Sequence, residues 1–129
     1  SDLYDIDDCP PVKNSYVIFS QQRTGSSWLC SFLTNSKQYG VPAEYLNEAA
    51  LVGYAKKSEL DKINVEKYLE DVKKKRTSHN GIFGIKVQPH QLLNAFKNEQ
   101  TILQYLNAHN LIIFLFQLLF VLSQKTALI

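Results

Sequence analysis

Ser15 to Leu33 reads SYVIFSQQRTGSSWLCSFL, and its changes of character decide the fold. Tyr16 to Phe19 is a short apolar, β-rich run, as a strand buried on both faces requires. Ser20 to Gly25 is polar and reads as a tight loop. From Ser26 to about Asn35, the residues Trp28, Leu29, Phe32 and Leu33 recur at helical spacing. That spacing predicts a helix with these four on one face, Trp28 packing it onto the sheet. Strand, loop and helix in this order form the unit from which parallel sheets are wound.

The loop has chemistry of its own. A loop entering a helix leaves backbone N–H groups unpaired at the positive end of the helix dipole, which favours an oxyanion. Gly25 lets the backbone come close to a phosphate. Thr24, Ser26 and Ser27 offer hydroxyls, and Arg23 offers a planar, permanently charged fork. The usual nucleoside-triphosphate loop, GxxxxGK[ST], needs a first glycine and a lysine that are both missing here. That argues against a kinase or ATPase and fits a ligand with one phosphate at this position. A polar turn with incidental hydroxyls is the plain alternative.

Strands and helices continue to alternate outward from the loop. Gly40 and Pro42 mark a turn, and Glu44 to Lys57 is a weaker helical stretch. Asn64 to Arg76 is the clearest amphipathic helix, capped by Asn64, with Val65, Tyr68, Leu69 and Val72 on its apolar face. Its i,i+4 pairs are Glu70 with Lys74 and Lys67 with Asp71. The basic run Lys73 to Arg76 reads as a solvated helix end, where the dipole favours cations. Asn80-Gly81 is a turn and Ile82 to Val87 a strand. Pro89 opens a helix with Leu92, Leu93 and Phe96 facing the core. Gln100 to Ala108 is a further helix, and Leu111 to Phe116 a buried strand. The whole predicts an α/β fold with a central parallel sheet.

The 129 residues allow one domain, with 1–14 an irregular lead and 15–129 the α/β unit. The sequence contains no Met, so we read it as a piece of a longer chain. A net charge of +2 is too small to argue for nucleic-acid or membrane binding through bulk charge. The run Leu111 to Leu122 is 12 residues, interrupted by Gln117. A membrane span needs roughly 20 apolar residues, so none is expected. Cys9 and Cys30 form no framework, which suggests a reduced, cytoplasmic setting. No His/Cys/Asp cluster suggests a metal. His79, His90 and His109 read as loop, surface or capping residues.

A resemblance enters on these residues. Arg23-Thr24-Gly25-Ser26-Ser27-Trp28-Leu29 resembles the 5′-phosphosulfate loop of PAPS-dependent sulfotransferases, [RK]-[ST]-G-[ST]-[ST] before apolar helix residues. It is most similar to the bacterial trehalose 2-sulfotransferase family, whose loop reads SQRSGST, with one glutamine extra or shifted here. Gly40-Val41-Pro42-Ala43-Glu44-Tyr45-Leu46 resembles that family's G-E-P-x-E-[FY]-[FL]. Asn80-Gly81-Ile82-Phe83-Gly84-Ile85-Lys86 resembles its N-G-[VI]-[WF]-G-x-K.

What the resemblance implies is a P-loop-like three-layer fold, incomplete here, that moves a sulfuryl group from PAPS (3′-phosphoadenylyl sulfate) to a carbohydrate or glycolipid hydroxyl. Gln22, Arg23, Thr24, Gly25, Ser26 and Ser27 would bind the donor. Glu44 would be the general base, with Arg23 and Lys86 meeting the developing charge. No metal is implied, and homodimers are. Two departures matter. Val41 replaces the first glutamate of the second block, which puts trehalose itself in doubt. The 3′-phosphate motif R-x-D-x-x-x-Q-A-x-S, aligned on Gln124, meets Leu118, Phe120 and Ala127 where arginine, aspartate and serine belong. That keeps open an impaired relative or binding module, and beside it an unrelated phosphate-ester enzyme.

Overall fold

The computed structural model describes residues 2–21 and 24–115. Gln22 and Arg23 of the loop lie outside the described residues, as do Phe116 and the tail positions Gln117, Leu118, Phe120, Gln124 and Ala127.

A 3-10 turn, Asp2–Tyr4, precedes the regular elements. They run β1 (Asn14–Ser20), α1 (Ser26–Ser36), α2 (Glu48–Lys57), α3 (Val65–Arg76), β2 (Ile82–Val87), α4 (Pro89–Phe96), α5 (Glu99–Asn107) and β3 (Leu111–Leu115). The strands form one parallel sheet in the order β2-β1-β3. Tyr16 pairs with Gly84 and Leu111, and Ile18 with Lys86 and Ile113.

Alternation along β1 divides the core into two layers. Tyr16 and Ile18 face α1, packing with Cys30, Leu29 and Leu33. Val17 faces the opposite way, into a larger cluster with Tyr68 and Leu69 of α3 and Leu92 of α4. Leu51 and Tyr54 of α2 and Ile102 and Tyr105 of α5 close over that second layer. The α/β expectation therefore holds, with helices on both faces of a parallel sheet.

The helix caps follow from the sequence. Asn47, Asn64 and Asn98 each accept a first-turn N–H through the side-chain oxygen, at 2.7, 3.1 and 2.8 Å. Each such cap contributes about 1 kcal/mol. The Asn47 cap explains why α2 starts at Glu48 and leaves Glu44 outside the helix expected from that position.

Several packing expectations are corrected. Trp28 is 71% exposed and stacks on exposed Phe32, with ring centroids 5.7 Å apart. The sheet contact of α1 is made by the smaller Cys30, with Leu29 and Leu33 beside it. Leu93 is exposed, whereas Leu92 is buried and Phe96 packs against the core as expected. Leu111 and Phe114 are more than half exposed, since β3 lies at the sheet edge among the described residues. The basic helix end is not wholly solvated either. Lys74 and Lys75 are exposed, but Arg76 is buried, its Nε donating to Asp5 Oδ1 at 2.8 Å and its guanidinium lying over the Tyr45 ring. Glu70 pairs with Lys73 at 3.0 Å instead of Lys74, whereas Lys67 with Asp71 forms as expected.

Candidate active site

The chain winds from β1 to β2 on one side, then crosses β1 to lay down β3 on the other. In open sheets of this kind, ligands bind beyond the carboxyl ends of the strands, where the winding reverses. The loop after β1 and the end of β2 meet there.

Gly25 stands at the N-cap of α1 with φ +79°, the left-handed region that glycine enters without strain. It has no side chain to cap the helix, and α1 carries no acidic residue in its first turn. The first-turn N–H groups therefore keep their capacity for an anion, unlike those of the three Asn-capped helices. Thr24 departs from expectation, because its Oγ1 donates to the Gln21 carbonyl at 3.0 Å and folds the loop back on itself. Ser26 is buried and Ser27 exposed. Just before the loop, Ser20 Oγ is fully buried with no hydrogen-bond partner among the described residues.

Glu44 is delivered by a segment pinned along β2. The Gly40 N–H donates to Ser78 Oγ at 3.2 Å, and the Lys86 N–H donates to the Ala43 carbonyl at 3.0 Å. Asn80 Nδ2 donates to the Gln38 carbonyl at 2.8 Å, and the Tyr16 hydroxyl donates to the Tyr39 carbonyl at 2.6 Å. Gly40 has φ +67°, and a Cβ there would meet the Ile82 carbonyl oxygen at 2.9 Å, so the close approach requires glycine. Tyr45 and Leu46 are buried directly after Glu44, and the Tyr45 hydroxyl donates to the Val41 carbonyl. Burial pushes both the Tyr16 and the Tyr45 phenols upward, so each is a neutral structural donor.

The carboxylate of Glu44 is held from one side. Gln88 Nε2 and Gln91 Nε2 donate to its Oε1 at 2.8 and 3.0 Å. Its Oε2 lies 3.9 Å from Lys86 Nζ and accepts no hydrogen bond among the described residues. Lys86 is buried at the end of β2. Cys30 sits near both charges. Burial raises its thiol above the usual range, Lys86 opposes that, and Glu44 adds to it.

Thr24, Gly25, Ser26, Ser27, Glu44 and Lys86 line one cleft of about 310 Å³, together with Gln21 and Gln88. Six of the eight expected site residues thus share one cavity, and Gln22 and Arg23 are the two outside the described residues. His90 is exposed and does not line this cleft. His79 Nε2 is 3.0 Å from the Asp7 carbonyl oxygen, and His109 Nδ1 is 2.9 Å from that of Tyr105. Sequence reasoning missed Gln88 and Gln91. A signal was present in Gln88-Pro89-His90-Gln91, a glutamine at each end of a helix's first turn.

A family model described as Stf0 sulphotransferase matches residues 15–112. No curated protein matches the chain, and no solved structure does. The match takes in all three sequence blocks and ends before Leu118, Phe120 and Ala127.

Proposed function

The chain belongs to the Stf0 sulphotransferase family, and from that premise we propose that it transfers a sulfuryl group from PAPS to a carbohydrate hydroxyl. The observation that carries this reading is the single cleft joining the loop residues Thr24 to Ser27 with Glu44 and Lys86.

When bound, PAPS supplies an activated sulfuryl group on a phosphate leaving group. The N–H groups opening α1 and the Ser26 and Ser27 hydroxyls would hold phosphate oxygens, and Arg23 would add charge to the same loop. Lys86, already in the cleft, would offset negative charge on the transferred group. Glu44 would take the acceptor's proton through Oε2, the oxygen left unbonded by Gln88 and Gln91. A cytoplasmic setting and a homodimer belong to the same proposal, the first supported by two free cysteines.

The apolar residues Leu118, Phe120 and Ala127 favour a second reading, a relative with a 5′-phosphate loop and an impaired 3′-phosphate site. Calorimetric titration with adenosine 3′,5′-bisphosphate, beside AMP and the Arg23→Ala variant, separates the two. Tight binding that requires both phosphates and Arg23 supports the PAPS reading. Equal, weak binding of both nucleotides overturns it in favour of the impaired relative.

A further inference from the structure

Among the described residues, Ser20 Oγ is the buried side-chain polar atom left without a hydrogen-bond partner. A buried hydroxyl in that state destabilises a fold, and an alanine in its place would not. Its presence therefore asks for a reason, and its surroundings supply one.

Alternation along β1 puts Ser20 on the α1 face with Tyr16 and Ile18, as the last strand residue before the loop. Lys86 stands on the same face of the neighbouring strand. It pairs with Ile18, while Ile85 and Val87 on either side of it turn to the opposite layer. Ser20 lies two positions beyond Ile18 toward the loop, a diagonal neighbour within reach of a long side chain. Glu44 stands on the other flank of Lys86. The Lys86 N–H bonds the Ala43 carbonyl, on the side of β2 away from β1. The lysine thus lies between a carboxylate on one side and a hydroxyl on the other.

Its ammonium is under-satisfied where it now sits. Lys86 is buried and carries three donors, yet Glu44 Oε2 is 3.9 Å from Nζ, beyond hydrogen-bond range. Gln88 and Gln91 hold Glu44 through Oε1, so the lysine can leave without releasing the carboxylate. Cys30, packed over the same face, offers only a weakly accepting sulfur. Ser20 Oγ is the stronger acceptor on that face. An anion bound at the loop would attract the ammonium in the same direction.

We propose that Ser20 is a positioning residue that acts through Lys86. When an anion fills the loop, Lys86 moves from Glu44 Oε2 toward that anion, and Ser20 Oγ accepts from Nζ and holds it there. The move leaves Oε2 clear for the acceptor hydroxyl, so that filling the donor site readies the base. The inference rests on the proposed donor loop and on Glu44 as the base.

The test is a double-mutant cycle of Ser20→Ala, Lys86→Met and the double variant. It is read by calorimetric titration with adenosine 3′,5′-bisphosphate, by urea unfolding without ligand, and by the NMR signal of the Lys86 Cε. Bisphosphate affinity should fall about tenfold in Ser20→Ala, and Lys86→Met should absorb that loss, leaving the double variant no weaker than Lys86→Met alone. The bisphosphate should shift the Cε signal in the native protein and much less in Ser20→Ala. The ligand-free urea midpoint of Ser20→Ala should be no lower than the native one. A merely structural serine would show neither the coupling nor the altered Cε shift. Additive affinity losses, a Cε signal unmoved by the bisphosphate, or a lowered urea midpoint in Ser20→Ala would each overturn the proposal. No binding of the bisphosphate by the native protein would overturn the donor reading and this inference together, whereas binding with additive losses overturns this inference alone.

Discussion

Gln91 is locked so that its amide nitrogen, not its oxygen, faces Glu44. Its Oε1 accepts the Gln88 N–H at 3.0 Å, and its Nε2 donates to Glu44 Oε1 at 3.0 Å. The start of α4 and the orientation of the candidate base are thus one hydrogen-bonded unit. Gln91 is buried, so its amide has little other use.

Replacing Gln91 by Leu should therefore act on Glu44 without touching the donor loop. We expect kcat to fall about ten- to a hundredfold with donor KM unchanged, because a base displaced by a fraction of an ångström loses its alignment. Stability should drop by about 1–2 kcal/mol from the lost cap bond and the lost amide pairing. A purely structural role would lower stability alone, so steady-state kinetics beside urea unfolding decides the matter.

Glu44→Gln tests the base itself. The glutamine oxygen can still accept from Gln88 and Gln91, so the fold should hold. Sulfuryl transfer should fall by about 10²–10⁴-fold, the usual worth of a positioned base. Bisphosphate affinity, read by calorimetry, should stay within about threefold, a difference of only about 0.6 kcal/mol.

Two glycines should respond differently to alanine. A Cβ on Gly25 meets nothing within 4 Å among the described residues, so the penalty expected is that of its left-handed backbone, about 1–2 kcal/mol. A Cβ on Gly84 would overlap the Cζ and hydroxyl oxygen of Tyr16, whose hydroxyl is fixed to the Tyr39 carbonyl. Gly84→Ala must move a buried ring and should cost about 2–3 kcal/mol, the upper range for overpacking. Thermal unfolding of the two variants ranks them, and equal losses would refute the packing argument.

These contrasts also mark how far the sequence could be read. The apolar run Tyr16 to Phe19, the Asn64 cap and the strand Ile82 to Val87 were legible because each is a local pattern. The cleft residues were legible as motifs, but their meeting was not. It depends on the Lys86 N–H bonding the Ala43 carbonyl across 43 positions of sequence. Trp28 was misjudged because helical spacing gives a common face without saying whether anything covers it. Arg76 was misread as solvated because its partner, Asp5, is 71 residues away in a segment with no periodic signal.

The Asp5–Arg76 pair should be measurable as stability. The side chains are 27% and 11% exposed, so solvent screens Asp5 in part. Arg76→Met should cost about 1–3 kcal/mol, below the full loss for a wholly buried pair. Asp5→Asn keeps an acceptor and should cost less. Limited proteolysis before residue 9 should speed up in Arg76→Met, since that pair helps hold the segment together with the Ile6 N–H bond to the Lys75 carbonyl and the contact of His79 Nε2 with the Asp7 carbonyl. No change in cleavage would show that the Ile6 and Asp7 backbone contacts suffice.

His109 sets a pH dependence whose sign can be worked out. Burial lowers its folded value below the ordinary 6.5, the positive charge of Lys73 lowers it further, and hydrogen bonds to the Tyr105 and Leu106 backbone oppose this. The unfolded chain then binds the proton more readily than the folded one. Stability from the neutral imidazole is thus complete above about pH 6.5 and is lost as pH falls through that value toward the lower folded one. A single group can contribute at most about 1.4 kcal/mol per pH unit to this slope. Urea midpoints should therefore fall between about pH 7.5 and 5.5 in the native sequence. In His109→Gln, which cannot titrate, the fall should be shallower over the same interval. Parallel curves for the two proteins would mean that the imidazole is protonated equally in both states.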